Sequence, residues 1–184
     1  MDPRHERDEW HMAQVALGKR DHLEPLIRRY ASPLLTFIRR MVGDEHRGQE
    51  LFQEVFLAVW LKRRQYQFPR LFKSWLYAIA LNRCRADFRN HTLGEVAGLD
   101  ADVSEAPGLS PADTAIATET AAIVATAVMR LPPQQRTVVV LRVWEGLSYA
   151  EIADIVGRTE GTVRAHMHHG LAALRKYLEP RLML

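Results

Sequence analysis

Apolar residues recur every three or four positions along most of this chain, and the residues that interrupt them are ones that start and stop helices. Glu9 to Leu17 predicts a short helix stopped by Gly18, and Asp21 with Glu24 predicts a capping box for the next one. Leu23, Leu26, Ile27, Tyr30, Leu34, Ile38 and Met41 then form one continuous face, with a kink expected at Pro33 and an end at Gly43. A third helix from Glu45 to about Lys62 would bury Leu51, Val55, Phe56 and Val59. Gln65 to Arg70 reads as a loop, because Pro69 disfavours helix at Phe68. Phe72, Leu76, Ile79, Ala80, Cys84 and Phe88 mark the buried stripe of a fourth helix.

From His91 to Leu109 large apolar residues are scarce and Gly94, Gly98, Pro107 and Gly108 accumulate, which predicts an extended linker. Ser110-Pro111-Ala112-Asp113 reads as an N-cap, and Ile116, Thr120, Ile123, Ala127 and Leu131 align behind it. Pro132-Pro133 breaks that helix and starts another. The β-branched run Thr137 to Val143 is assigned helix, since Val138, Leu141 and Trp144 keep helical spacing. The fold class is therefore all-α, with two small helical domains, residues 1–90 and 111–184, joined by an acidic linker over 91–110.

The best punctuated stretch is Leu147 to Leu178. Ser148 and Glu151 form a capping box, so a helix of about nine residues starts at Tyr149 and ends at Gly157. Thr159 offers a second N-cap, followed by the stripe Val163, Met167, Leu171, Leu174 and Leu178. This is the pattern of a helix-turn-helix. Its outer face would carry Thr162, Arg164, Ala165, His168 and His169, with Arg158 in the turn, as a surface for a DNA major groove. An ordinary helical hairpin would show the same spacing.

Charge sharpens the picture. The net charge is only +3, but no Lys or Arg occurs from His91 to Met129, where Glu95, Asp100, Asp102, Glu105, Asp113 and Glu119 lie. Between Lys62 and Arg89, eight basic residues face the single acid Asp87. That balance is the footprint of a nucleic-acid surface, and a solvated basic face is the competing reading. Tyr66, Phe68, Trp75 and Tyr77 interleave with those cations, as a single strand requires when bases stack and phosphates seek charge. Function is assigned to the loop pair Tyr66 and Phe68, packing to Trp75 and Tyr77. On the third helix Glu50, Gln53, Glu54 and Leu57 are neighbours, a set equally suited to docking and to a solvated face.

The lone Cys84 excludes an internal disulfide and offers no thiol pair to zinc, which suits a reducing cytoplasm. No apolar run approaches a membrane span, and the charged first residues are unlike a signal sequence, so membrane insertion is not expected. No phosphate loop, nucleophile elbow or metal-ligand quartet is present, so neither an enzyme nor a cofactor is expected. A metal sensor built on His166, His168 and His169 fares poorly, because 168 points away from the other two on a helix.

Three signatures in order resemble the bacterial extracytoplasmic-function sigma factors, which retain only sigma regions 2 and 4. The first is Gly43-Asp44 leading to Glu50-Leu51-Phe52-Gln53-Glu54-Val55-Phe56-Leu57-Ala58-Val59-Trp60, similar to region 2.2. The second is Phe72-Lys73-Ser74-Trp75-Leu76-Tyr77-Ala78-Ile79-Ala80-Leu81-Asn82-Arg83, similar to region 2.4. The third is Leu131-Pro132-Pro133-Gln134-Gln135-Arg136 with Leu147-Ser148-Tyr149-Ala150-Glu151-Ile152-Ala153 and Gly161-Thr162-Val163-Arg164.

The resemblance implies a factor that binds core RNA polymerase, directs it to promoters and promotes melting. Glu50, Gln53, Glu54 and Leu57 would dock on the β′ coiled coil, with the C-terminal domain near the β flap. The loop Gln65, Tyr66 and Phe68 would hold a flipped base of the −10 element, with Lys73, Asn82 and Arg83 on its upstream part. Arg158, Thr162, Arg164, Ala165, His168 and His169 would read the −35 element, and an anti-sigma factor would be the usual control. Two departures stand out: the −35 helix carries three histidines where relatives carry fixed cations, and residues 46–49, often acidic in the family, include Arg47. The alternative is a helix-turn-helix regulator that is not a polymerase subunit.

Overall fold

The computed structural model describes residues 3–95 and 113–182, with side chains from 7 to 90 and from 119 to 181. Its α-helices are α1 (Pro3–Ala16), α2 (Leu23–Val42), α3 (Glu45–Leu61), α4 (Phe72–Glu95), α5 (Asp113–Met129), α6 (Pro133–Val143), α7 (Tyr149–Val156) and α8 (Glu160–Leu182). Single 3-10 turns at Arg20–His22 and Arg63–Gln65 complete the secondary structure, and no strand occurs among the described residues.

The first bundle packs α2 against α3 and α4, and α3 against α4. Leu26, Tyr30, Leu34, Phe37, Ile38 and Met41 of α2 are buried, as are Leu51, Val55, Phe56 and Val59 of α3. Helix α1 is fastened by two buried acids. Asp8 accepts a hydrogen bond from Tyr30 Oη at 2.8 Å and pairs with Arg29. Glu9 Oε1 accepts from the backbone N–H of Phe72 at 2.7 Å, satisfying an amide at the start of α4 that has no partner inside its own helix. Cys84 is fully enclosed, and burial pushes its thiol up to about 12.

In the second bundle α8 packs against α5, α6 and α7. Ser148 Oγ accepts from the Glu151 amide at 3.2 Å while the Glu151 carboxylate accepts from the Ser148 amide at 2.8 Å, so the capping box is complete. Gly157, at φ 66°, makes the left-handed turn, and Thr159 Oγ1 accepts from the Thr162 amide at 3.3 Å to open α8. The β-branched run is helix: α6 buries Val138, Val139, Val140 and Leu141.

Several local expectations change. Asp21 does not cap α2. A 3-10 turn precedes that helix, whose N-cap is His22 with no side-chain hydrogen bond. Pro33 lies inside a helix that runs unbroken from Leu23 to Val42. Helix α4 extends to Glu95, past the expected linker start at 91, and the proposed N-cap Ser110-Pro111 lies outside the described residues. Thr120 is exposed, while Ala127 and Leu131 are buried as expected.

Leu171 is exposed as well, and Gly170 takes its place on the buried side of α8. A Cβ at Gly170 would lie 2.8 Å from Val139 Cγ2, so a side chain there collides with Val139 unless that residue gives way. Gly170→Ala is expected to cost about 1–3 kcal/mol through overpacking. Val139→Ala in the same chain should restore part of that loss, read by thermal unfolding.

The two bundles meet. Helices α5 and α6 touch α2, α7 touches α4, and the buried apolar residues form one connected cluster. Arg136, 6% exposed, sits at the seam. It donates to the carbonyls of Met41 at 2.7 Å, Met129 at 2.5 Å and Leu131 at 3.2 Å. Those carbonyls lie at the C-terminal ends of α2 and α5, where backbone acceptors lack partners and a cation is favoured.

Candidate functional site

Three exposed surfaces carry the residues singled out by sequence. On α3, Glu50, Gln53 and Leu57 are exposed and Glu54 is half-buried, spaced along one side of the helix. Leu57 is 58% exposed and Leu61, one turn further on, 65% exposed. Sequence reasoning missed Leu61, although its i+4 spacing from Leu57 was the available signal. Two neighbouring leucines left in water at the end of α3 make an apolar contact surface.

The acids beside them are not free. Arg47 donates to Asp87 Oδ1 at 2.6 Å and to Glu50 Oε2 at 2.7 Å, and lies 3.5 Å from Glu54. Arg83 approaches Glu54 from α4 at 3.6 Å. These carboxylates hold the Arg47 guanidinium in its charged form, through the bond to Glu50 most of all. Arg47 thus neutralises part of this face and ties α3 to α4.

The loop after α3 separates its two aromatics. Phe68 is 61% exposed, whereas Tyr66 is 7% exposed, stacked edge-on against Trp75 and Phe72, with its hydroxyl donating to the Arg70 carbonyl. The expectation that both present faces to a base is corrected: Tyr66 is a core residue that shapes the loop, and Phe68 alone is outward. Trp75 and Tyr77 are buried, consistent with packing. Gln65 and Asn82 are exposed, and Arg83 is partly so. Lys73 is engaged: its ammonium donates to the Glu145 carbonyl at 2.7 Å, across the seam.

On the helix-turn-helix the predicted outer face is outward. Arg158, Arg164, Ala165, His168 and His169 are exposed and Thr162 is half-buried, while Val163 and Met167 pack inward. The Arg164 guanidinium lies 4.4 Å from the Tyr149 ring centre and 3.2 Å from Glu160, so it is steered by both helices of the motif. Among the described residues no group of three or more His, Cys, Asp or Glu could hold a metal ion, and none includes the α8 histidines. No described helix is long and apolar enough to cross a membrane.

Comparison with known proteins agrees in both halves. The family described as "Sigma-70 region 2" matches residues 26–93, and "Sigma-70, region 4" matches residues 121–174. The chain is 31% identical over 174 residues to the ECF RNA polymerase sigma factor SigW of Bacillus subtilis, covering 90% of this chain and 93% of the relative. It is 30% identical over 186 residues to the RNA polymerase sigma-H factor of Pseudomonas aeruginosa, covering 96% of each. Among solved structures, CnrH in complex with the cytosolic domain of CnrY superposes with a TM-score of 0.75 at 23% identity, over 95% of this chain and 99% of that one. The sigma factor RpoE in complex with the anti-sigma factor NepR, from Bartonella quintana, gives 0.71 at 19% identity, over 85% of this chain and 96% of that one.

Proposed function

The chain belongs to the extracytoplasmic-function sigma factors of bacterial RNA polymerase, and from that premise we propose which of its surfaces performs each step of initiation. Such a factor directs the polymerase to promoters and starts transcription, and the alternative of a regulator that never joins the polymerase falls away. It is an initiation factor rather than a catalyst, so its residues act by binding.

The α3 face of Glu50, Gln53, Glu54 and Leu57, enlarged by Leu61, docks on the β′ coiled coil of core polymerase. The leucines supply the apolar area and Gln53 the hydrogen bonding, since the two acids are already shared with Arg47. Phe68 offers the face on which an unstacked −10 base rests, which offsets an unpairing cost of a few kcal/mol. Gln65, Asn82 and Arg83, exposed or partly so, take the rest of that element. The outer row of α8 enters the major groove at −35, with the second bundle near the β flap.

The observation that carries this reading is the separation of Phe68 from Tyr66: one aromatic is spent on the core and the other is left in water. In vitro transcription by core polymerase plus this chain, on a pool of promoter sequences, tests it. Enrichment of a shared −35 and −10 pair is expected, and transcription indifferent to sequence would overturn it.

Arg164 gives a sharper check. Arg164→Ala should weaken −35 binding, and if the guanidinium meets a phosphate the slope of log affinity against log salt should fall by about 0.9. An unchanged slope with altered base preference would instead place it on a base edge. Solved relatives are captured with CnrY and with the anti-sigma factor NepR. We infer that this chain too is held by an anti-sigma factor, which would cover the α3 leucines.

A further inference from the structure

Two histidines that belong to none of the three surfaces meet beside the first helix. His11 of α1 and His22 of the Arg20–His22 turn place their Nδ1 atoms 3.0 Å apart. The ring centres are 5.3 Å apart, close to that gap plus one ring radius on each side, so the two nitrogens face each other head-on. Such a gap holds a proton and not a metal, because its midpoint is nearer each nitrogen than the about 2.0–2.1 Å of an imidazole–zinc bond. One nitrogen must donate and the other accept. A neutral pair meets that condition, and so does a pair carrying one extra proton. Two imidazolium rings do not, since both Nδ1 atoms then bear hydrogen.

The pair sits where α1 is fastened. Trp10 lies edge-on to both rings, with centres 5.1 Å and 4.9 Å away. Glu9 accepts from the Phe72 amide, and α1 also touches the Arg63–Gln65 turn. The loop that carries Phe68 is therefore held by α1 at both its ends.

We propose that His11 and His22 form a proton-operated clip: while the two nitrogens share a hydrogen bond they seat α1 behind the Phe68 loop, and a second proton parts the rings and withdraws that support. The clip itself stands apart from the promoter assignments, but its effect on melting rests on the reading of Phe68 as the base-capturing ring.

The surroundings set the sense of the response. Burial, then the charge on His22, holds His11 below the ordinary histidine value of 6.5; Asp8 opposes them, and Arg29 and Arg7 add to them. Asp8 is already paired with Arg29 and Tyr30. The other charges on the neighbouring segments are engaged elsewhere or stand in water. Lys19 donates to Gln14 at 2.7 Å, Arg28 pairs with Glu24, and Lys73 reaches Glu145. Arg20 and Arg63 lie 6.0 Å and 4.2 Å from the Trp60 ring centre, while Asp21 and Arg64 are exposed. Released α1 escapes the burial and the facing imidazole, so it takes the proton first as pH falls. The ratio of seated to released α1 is then steady above about 6.5 and drops by up to about tenfold per pH unit below it, the slope of one proton, until the seated pair is itself doubly charged.

The test follows the imidazole nitrogens and the Phe72 amide of the full-length chain by nuclear magnetic resonance from about pH 8 to about pH 5. The parent pair should titrate in two steps, the second below 6.5. Exchange of the Phe72 amide, corrected for its intrinsic rate, should quicken by up to about tenfold per pH unit across that second step. His22→Asn sets a carboxamide near the Nδ1 position, able to donate or accept but not to take a proton, so it should keep α1 seated and remove this acid response. Asp8 and Glu9 remain in that variant, so any response of their own appears in both chains and cancels. Both steps at or above 6.5, or the same pH dependence of Phe72 exchange in the two chains, would overturn the clip. With holoenzyme, strand opening by the parent relative to His22→Asn should fall between about pH 8 and about pH 5.5. A constant ratio while the Phe72 amide responds would overturn the coupling to melting. Failure of the base-capture reading looks different, for Phe68→Ala would then open strands as the parent does at the upper pH.

Discussion

Replacing Leu57 and Leu61 together by Ser is expected to lower affinity for core RNA polymerase at least about tenfold while changing stability by no more than about 0.5 kcal/mol. Fully burying a leucine contributes about 1.5–3 kcal/mol, and with roughly 60% of each side chain left to bury, two at the lower value give about 1.8 kcal/mol, or a little over one decade in the dissociation constant. Stability is spared because both side chains already stand in water, at 58% and 65% exposure. Charge reversal at Glu54 should do less. Its carboxylate is shared at 3.5 Å with Arg47 and 3.6 Å with Arg83, and a partly exposed pair of that length is worth about 0–1 kcal/mol. Glu54→Lys would nonetheless set three cations together, so a modest loss of affinity is expected with helicity intact. Competition of each variant with labelled parent for core polymerase measures both. A double leucine variant within about threefold of the parent would move the dock elsewhere.

How much of this was legible in the sequence depends on how far apart the deciding residues lie. The helix-turn-helix is local chemistry, and Ser148 with Glu151, Gly157 and Thr159 behave as their spacing says. The helical reading of Thr137 to Val143 also succeeded, because Pro133 and the 3,4 spacing outweighed β-branching. Side assignments within a helix were harder. Leu171 fits the 3,4 stripe as well as Gly170, and only the close approach of Val139 decides that the glycine goes inside. At Asp21 a local signal lost to a non-helical turn tied into α1. The seam was not legible at all. Arg136 and Met41 are 95 residues apart and Tyr77 and Glu145 are 68 apart, and nothing in either segment's periodicity marks them as partners.

The loop after α3 yields the other large expectation, because its two aromatics should fail in opposite ways. Phe68→Ala removes an exposed ring, so thermal stability should stay within about 0.5 kcal/mol of the parent. Stacking on an aromatic contributes about 1–3 kcal/mol per base, so the population of open promoter complexes should fall about five- to 100-fold or more, with closed-complex binding little altered. Tyr66→Ala empties a site enclosed by Phe72 and Trp75 and should cost about 3–5 kcal/mol, a large share of a domain's stability. Tyr66→Phe keeps that packing and gives up only the hydrogen bond to the Arg70 carbonyl, a loss of about 0.5–1.5 kcal/mol. Permanganate reactivity of the melted strand, measured beside thermal unfolding for the three variants, separates the roles. The Tyr66→Phe chain should melt promoters as the parent does, because its ring never faced the strand. Full strand opening by Phe68→Ala, or its loss in Tyr66→Phe with stability retained, would reverse the assignment and put base capture on the buried tyrosine, which would then have to leave the core to act.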